Sequence, residues 1–250
     1  MNVVVIGDRA VGKTSMVVAL AKSGTKHVQV VNDPDGLVAR RFNVEEDRIA
    51  GTAQMLPETL LINVDLPSGE RQIQLLWIDT PGEAFSNREW QKDNATAWQD
   101  IKQQISQSTG VILLLPPNGD RVNPNRLDGR IDVDELPSNQ AWVNRFKYWL
   151  DFFKDNCANA QHLLICIHKA DTFCDIQQEG NKWKYKNSKE SPFFEYNKYV
   201  RRTYFTSADK IIQEYNSRPY ATALQFFITS TDNPHLLELP WIYLASHHHN

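Results

Sequence analysis

Cysteine is scarce in this 250-residue sequence, which contains Cys157, Cys166 and Cys174 and no others. Their spacing matches no arrangement of metal ligands, and Cys166 lies within an apolar run that is typical of a buried strand. Unpaired cysteines are usual in the cytoplasm, because thiols are kept reduced there. We therefore expect a cytoplasmic protein with reduced cysteines.

Long apolar segments are also lacking. The longest apolar run, Val111 to Leu115, is far shorter than the ~20 residues that a helix needs to cross a bilayer. The N-terminus leads directly into a predicted strand instead of a signal peptide. The sequence ends His-His-His-Asn, without a cysteine for lipidation. These absences predict no membrane anchor.

Charge of one sign does not dominate either. The formal net charge is -3, which gives the chain no overall attraction to nucleic acid or to an anionic membrane. Apolar residues make up 41% of the chain, enough for a sizeable core. Length and composition predict a single domain over residues 1–250, and we expect no nucleic-acid partner.

A glycine-rich loop stands close to the N-terminus, between a predicted strand at Asn2–Ile6 and a predicted helix at Lys13–Lys22. It matches the pattern G-x-x-x-x-G-K-[ST], in which backbone amides and a helix N-terminus face an anion. Lys13 supplies a positive charge for the outer phosphates of a nucleotide, and the Thr14 hydroxyl can bind Mg²⁺. The predicted phosphate-binding residues are Gly7, Ala10, Val11, Gly12, Lys13, Thr14 and Ser15.

A second motif follows a predicted β-hairpin, whose strands are Thr59–Leu66 and Gln72–Ile78. The hairpin leads into Asp-Thr-Pro-Gly-Glu at residues 79–83. Asp79 stands at the carboxyl end of a strand, where its carboxylate can hold a water molecule on Mg²⁺. The amide of Gly82 can contact a terminal phosphate.

Two more predicted strands end in polar residues. Leu163–Ile167 precedes His-Lys-Ala-Asp at 168–171, and Thr222–Ile228 precedes Thr-Ser-Thr at 229–231. The order of elements is βα, a hairpin, then α-β-α-β-α-β, which is typical of a mainly parallel sheet with helices on both faces. Ligands of such sheets bind at the carboxyl ends of the strands, where all four motifs stand. The sequence therefore predicts one shared site.

The four motifs resemble those of the Ras-like small GTPases, within the translation-factor-like class of P-loop GTPases, over nearly the whole chain. Residues 7–14 are similar to the Rho and Rab phosphate loop, 79–82 to D-x-x-G, 168–171 to N-K-x-D and 229–231 to the S-A-K loop. The resemblance implies a three-layer P-loop NTPase fold, α/β, with a six-stranded, mainly parallel sheet and one antiparallel strand. It also implies GTP or GDP as ligand, Mg²⁺ as cofactor and a protein effector.

Guanine recognition rests on Asp171, whose carboxylate can accept hydrogen bonds from N1–H and the 2-amino group. Adenine lacks these donors, and a site of this kind can discriminate by roughly 10⁴ or more. Lys169 would cover the base plane, and the amide of Thr231 would meet the guanine O6. Taken alone, residues 168–171 also fit an ordinary strand-to-loop junction. The base-binding residues that the resemblance implies are His168, Lys169, Asp171, Ser230 and Thr231.

Three departures from the family pattern bear on catalysis. His168 replaces the asparagine that ties this loop to the phosphate loop. Glu83 replaces the glutamine that orients the attacking water, so its carboxylate would repel the terminal phosphate, or act as a base if its pKa were raised. Arg9 replaces a glycine, where it would block a partner's arginine finger or serve as one in cis. These departures predict slow hydrolysis. The predicted catalytic residues are Arg9, Lys13, Gly82 and Glu83.

The predicted Mg²⁺ ligands are Thr14, Asp79 and a threonine of the first switch. For the last of these we prefer Thr59 to Thr52, because Thr59 stands at the edge of the hairpin strand. The preceding stretch, residues 23–58, is predicted to be mostly a functional loop, in which Val28–Val31 has the pattern of a short strand.

Two insertions distinguish the chain from a minimal small GTPase, at about 116–138 and 172–193. Between Asp171 and Ser230, aromatic residues alternate with lysines, a composition that can bind nucleic acid or a protein partner. Packing on the domain is the favoured interpretation. The short segment after Ser230 predicts a reduced last helix.

The sequence motifs are compatible with three functions. The first is a GTP-hydrolysing switch, in which GTP and Mg²⁺ order residues 23–58 and the segment after Gly82. The second is a nucleotide-binding scaffold with negligible hydrolysis that acts through a partner. The third is a P-loop ATPase or kinase, which predicts no role for Asp171.

Overall fold

The computed structural model describes residues 1–22, 24–43, 48–49, 56–79, 84–127, 136–186, 193–219 and 221–247. Their strands form a seven-stranded sheet and a separate two-stranded one. The strands are β1 (Asn2–Gly7), β2 (Val28–Val30), β3 (Phe42–Asn43), β4 (Arg48–Ile49), β5 (Leu56–Leu66), β6 (Gly69–Asp79), β7 (Gly110–Leu115), β8 (His162–Ile167) and β9 (Leu224–Ile228). The helices are α1 (Lys13–Ala21), α2 (Pro34–Arg41), α3 (Arg88–Asp93), α4 (Ala95–Gln107), α5 (Asn139–Asn156), α6 (Ile176–Trp183), α7 (Phe193–Tyr204), α8 (Asp209–Asn216) and α9 (Pro234–His247).

The large sheet has the strand order β2-β5-β6-β1-β7-β8-β9. Strands β6, β1, β7, β8 and β9 pair in parallel, whereas β5 is antiparallel to both of its neighbours. The predicted α/β class, the hairpin and the one antiparallel strand are therefore confirmed. The predicted number of six strands was too low, because the short strand β2 extends the sheet beyond β5.

The register of the parallel strands aligns their carboxyl ends. Gly7 is opposite Leu114, Leu114 is opposite Cys166, and Ile167 is opposite Ile228. The loops that follow β1, β8 and β9 consequently leave the sheet at the same edge. This edge is where the predicted polar motifs stand.

The core lies on both faces of the central strands. All six residues of β7 are buried, as are five of the six residues of β1 and of β8. A strand that is covered by helices on both faces needs apolar residues without alternation, which explains its continuous apolar sequence. The three cysteines are free and buried, and burial raises the pKa of Cys157 and of Cys174 to about 12.

The C-terminal segment differs from its prediction. Helix α9 has 14 residues and is not a reduced element, although Pro240 lies inside it. Its residues from Leu236 to Ala245 are all buried. Because every side of α9 is covered, its sequence shows no polar face and therefore no helical period. Asn233 stabilises its first turn by accepting a hydrogen bond from the Leu236 amide at 3.1 Å.

The regions predicted as loops and insertions contain further elements. The stretch 23–58 holds β2 and α2 in addition to the small sheet. The segment between β6 and β7 contains two helices, α3 and α4, which meet at Asn94. Within the second insertion, α6 packs against the start of α9, and a Cβ at Gly180 would overlap the side-chain amide of Asn233, the residue that precedes α9.

Most of the aromatic residues that alternate with lysines between Asp171 and Ser230 pack into the domain. Phe193 and Tyr196 belong to the core, and Trp183 and Tyr185 lie against it. The hydroxyl of Tyr196 also accepts a hydrogen bond from the Ile228 amide at 3.1 Å. These contacts agree with the favoured interpretation of the insertion as packing. None of the helices in the described ranges has the length and apolarity to cross a membrane.

Candidate nucleotide-binding site

The loop between β1 and α1 turns through three residues with positive φ, which are Gly7 (155°), Ala10 (58°) and Gly12 (100°). Gly7 is also confined by its neighbours, since a Cβ there would lie 2.5 Å from the Leu114 carbonyl oxygen. Glycine adopts these angles without a steric penalty, which explains the two fixed glycines of the motif. The loop therefore has the curvature that an anion-binding loop requires.

Lys13 is the first residue of α1 and has only 6% of its surface exposed. Its Nζ donates hydrogen bonds to the carbonyl oxygens of Gly7 at 2.9 Å and of Asp8 at 2.8 Å. The ammonium group thus lies against the start of the loop, and α1 directs its N-terminus toward the same loop. Thr14, the second residue of the helix, is partly exposed there.

His168 follows β8 and packs against the phosphate loop. A Cβ added to Gly12 would lie 2.4 Å from Cδ2 and 2.8 Å from Nε2 of the imidazole. The ring is 2% exposed, and its Nδ1 lies 2.9 Å from Oγ1 of Thr229. Burial, assisted by the charge of Lys169, lowers the pKa of His168 to about 3, so the ring is neutral at physiological pH. The β8 loop and the phosphate loop are consequently in direct contact.

Asp171 is held by the loop that follows β9. The Ser230 hydroxyl donates a hydrogen bond to Oδ1 of Asp171 and accepts one from the Asp232 amide at 3.2 Å. The Ala170 amide donates to the Thr229 carbonyl at 3.0 Å. These bonds hold the Asp171 carboxylate in place through Oδ1. Each carboxylate oxygen has two lone pairs, so the group can still accept hydrogen bonds from other donors. Thr231 is exposed and Lys169 partly exposed beside this pair.

Arg145 on α5 is a residue of the site that the sequence motifs do not indicate. Its guanidinium group pairs with Asp8 of the phosphate loop, with 2.8 Å between Nε and Oδ2. Its Nη2 also donates to the Phe85 carbonyl at 3.0 Å. The two residues of the ion pair are 137 positions apart, so no local pattern reveals it.

Thr59 is not brought to the phosphate loop. It pairs with Leu76 inside the hairpin, three pairs along from the Leu56–Asp79 pair at the edge of the site. Its carbonyl accepts a hydrogen bond from Asn32 at 2.9 Å, and its side chain is exposed. This position does not support Thr59 as a Mg²⁺ ligand.

Other predicted site residues lie wholly or partly outside the described residues. The backbone of Asp79 ends β6 next to β1, at the predicted edge. Residues 80–83, which include Gly82 and Glu83, and Thr52 are not described.

Arg9 and Ala10 are exposed on the phosphate loop, whereas Val11 is buried and Ser15 partly exposed.

No cluster of three or more His, Cys, Asp or Glu side chains that could bind a metal occurs in the described ranges. A bound Mg²⁺ does not need such a cluster, because it usually takes one or two protein ligands together with phosphate oxygens and water. The hydroxyl oxygen of Thr14, the second residue of α1, is a ligand of the type that Mg²⁺ prefers. The residues present therefore fit this ion.

Comparison with known proteins finds little similarity. No protein-family model matches the chain, and no curated protein matches it. Among solved structures, a Plasmodium falciparum chain described as nucleolar GTP-binding protein 1 matches with a TM-score of 0.43 and 15% identity. The match covers 98% of this chain and 84% of that one. Because both similarity values are low, this match does not indicate the function of the chain.

Proposed function

We propose that the protein binds GTP and GDP with Mg²⁺ at the edge of the sheet where β1, β8 and β9 end. The observation that carries the proposal is the contact between Gly12 and His168. It joins the loop suited to phosphates to the loop that holds Asp171, so one ligand with both a polyphosphate and a base can span them. Mg²⁺, when bound, would neutralise phosphate charge, and the Thr14 hydroxyl would be one of its ligands.

The held carboxylate of Asp171 favours guanine over adenine. Ser230 is fully buried, and its hydroxyl donates a hydrogen bond to Oδ1 of Asp171. A carboxylate fixed in this way can accept from N1–H and the 2-amino group of guanine, and binding adenine would leave it without those donors. The arrangement therefore supports a guanine-nucleotide protein over a P-loop ATPase or kinase.

Identification of the nucleotide that co-purifies with the protein is the direct test. Mass spectrometry of the extracted ligand is expected to show GDP or GTP, and competition against a fluorescent GDP is expected to rank GTP and GDP far above ATP. Recovery of an adenine nucleotide, or equal competition by ATP, would refute the proposal.

We further propose that hydrolysis by the isolated chain is slow, as in a molecular switch. The reason is that the acidic residue Glu83 takes the sequence position at which Ras-like GTPases carry the glutamine that orients the attacking water. Glu83→Gln is therefore expected to raise the single-turnover rate of GTP hydrolysis about tenfold, equivalent to ~1.4 kcal/mol in the barrier. Rapid turnover by the unaltered chain would contradict this prediction.

The alternative is a nucleotide-binding scaffold that acts through a partner. It predicts that neither Glu83→Gln nor an added partner produces measurable turnover. The same single-turnover assay distinguishes the two functions when it is run with and without a partner that was isolated through its binding to the GTP-bound protein.

A further inference from the structure

One guanidinium group connects the phosphate loop to the segment that follows the D-x-x-G motif. Arg145 contacts both carboxylate oxygens of Asp8 through Nε, at 3.0 and 2.8 Å, and Oδ1 also through Nη2. The same Nη2 donates to the carbonyl of Phe85, two residues after Glu83. A planar guanidinium has donors in a fixed fork, so its two contacts constrain each other.

Both ends of this connection are fixed. On the phosphate-loop side, the Asp8 carbonyl also accepts the hydrogen bond from Lys13. On the other side, Phe85 is 2% exposed, and its ring lies 5.0 Å from that of Trp149 and 5.6 Å from that of Trp98. A displacement of Phe85 would therefore act on Asp8, and through its carbonyl on Lys13.

The guanidinium is itself held in place on α5. Its Cζ lies 4.2 Å from the ring centroid of Tyr148 and 5.2 Å from that of Trp149. Cation–π contacts of this kind stabilise a cation and restrict its side chain. The ion pair between Arg145 and Asp8 is only partly exposed, with 26% of the Arg145 side chain and 19% of the Asp8 side chain accessible. Solvent therefore screens it less than it screens a surface ion pair.

We infer that Arg145 is a positioning residue of the nucleotide site, which couples the segment after Gly82 to the phosphate loop and compensates the Asp8 carboxylate beside the outer phosphates. The inference rests on the proposed function. GTP carries one more negative charge than GDP, so an uncompensated carboxylate at Asp8 would disfavour GTP more than GDP. Loss of Arg145 should thus change the preference between the two nucleotides, not only the strength of binding.

The test measures the affinities of Arg145→Gln for a non-hydrolysable GTP analogue and for GDP. We expect the GTP-analogue to GDP affinity ratio to fall about tenfold, with GDP affinity within about threefold of the unaltered protein. Arg145→Lys keeps the positive charge but loses the planar set of guanidinium donors. We therefore expect its affinity ratio to lie between those of Arg145→Gln and the unaltered protein. A residue with only a structural role would lower both affinities by the same factor.

Two further variants isolate the cause. Arg201→Gln is the matched control, because Arg201 forms a similar pair with Asp209 on another part of the surface and has 31% of its side chain exposed. We expect its affinity ratio to equal that of the unaltered protein. In the double variant Asp8→Asn, Arg145→Gln, removal of the carboxylate should restore the ratio to within about threefold.

The outcomes separate this inference from the proposed function. An unchanged ratio in Arg145→Gln, or an equal change in Arg201→Gln, overturns the role of Arg145 and leaves guanine-nucleotide binding standing. If the unaltered protein binds no guanine nucleotide, the proposed function fails first and the inference fails with it. If Arg145→Gln does not fold, Arg145→Lys decides by the same ratio.

Discussion

Asparagine in place of Asp171 is expected to reverse the base preference of the protein from GTP to xanthosine triphosphate. The asparagine amide can donate to the 2-oxo group of xanthine, whereas it cannot accept both guanine donors as a carboxylate does. We expect GTP affinity to fall about 10³-fold and xanthosine triphosphate affinity to rise. Competition of both nucleotides against one fluorescent probe measures the change.

Asp175→Asn is the matched control for that substitution. Asp175 lies four residues further along and caps α6 by accepting from the amides of Gln177 and Gln178. Asparagine caps helices about as well as aspartate, so little change in stability or nucleotide preference is expected. If Asp171→Asn leaves the ratio of the GTP and xanthosine triphosphate affinities unchanged, Asp171 does not read the base.

Local patterns predicted the parts of the molecule that are built from consecutive residues. The turn between β1 and α1 is one such part, because its glycines, its lysine and the flanking elements all lie within 20 residues. The fold class followed from the order of strand and helix patterns. Their alternation restricts the possible topologies to a few.

The remaining features depend on contacts between distant residues or on burial that sequence patterns do not reveal. The Asp8–Arg145 pair joins an N-terminal loop to a helix far along the chain, and Arg145 alone resembles any polar residue of an amphipathic helix. Helix α9 has no polar face and contains Pro240, so its sequence lacks the pattern of an amphipathic helix. Thr59 lies inside β5 and not at the strand's edge, because the strand begins at Leu56, earlier than its sequence pattern indicates.

The second large effect is expected at Gly12, where substitution tests the contact on which the proposed function depends. Gly12→Ala introduces a side chain at φ 100°, where L-residues pay roughly 1–2 kcal/mol. The new Cβ would also overlap the buried imidazole of His168, and such overpacking costs about 1–3 kcal/mol. We therefore expect a loss of about 3 kcal/mol in the free energy of unfolding, together with a loss of nucleotide affinity.

Gly69→Ala separates the two contributions, because Gly69 has φ 107° in the β5–β6 turn and a Cβ there would meet nothing within 4 Å. Denaturant unfolding of this variant is expected to show only the backbone cost of roughly 1–2 kcal/mol. Combining Gly12→Ala with His168→Ala should recover part of the stability lost in Gly12→Ala, since it removes the overlapping ring. Equal losses in Gly12→Ala and Gly69→Ala, without recovery in the double variant, would mean that the two loops do not meet as the structure places them. The shared site for phosphate and base would then lose its physical basis.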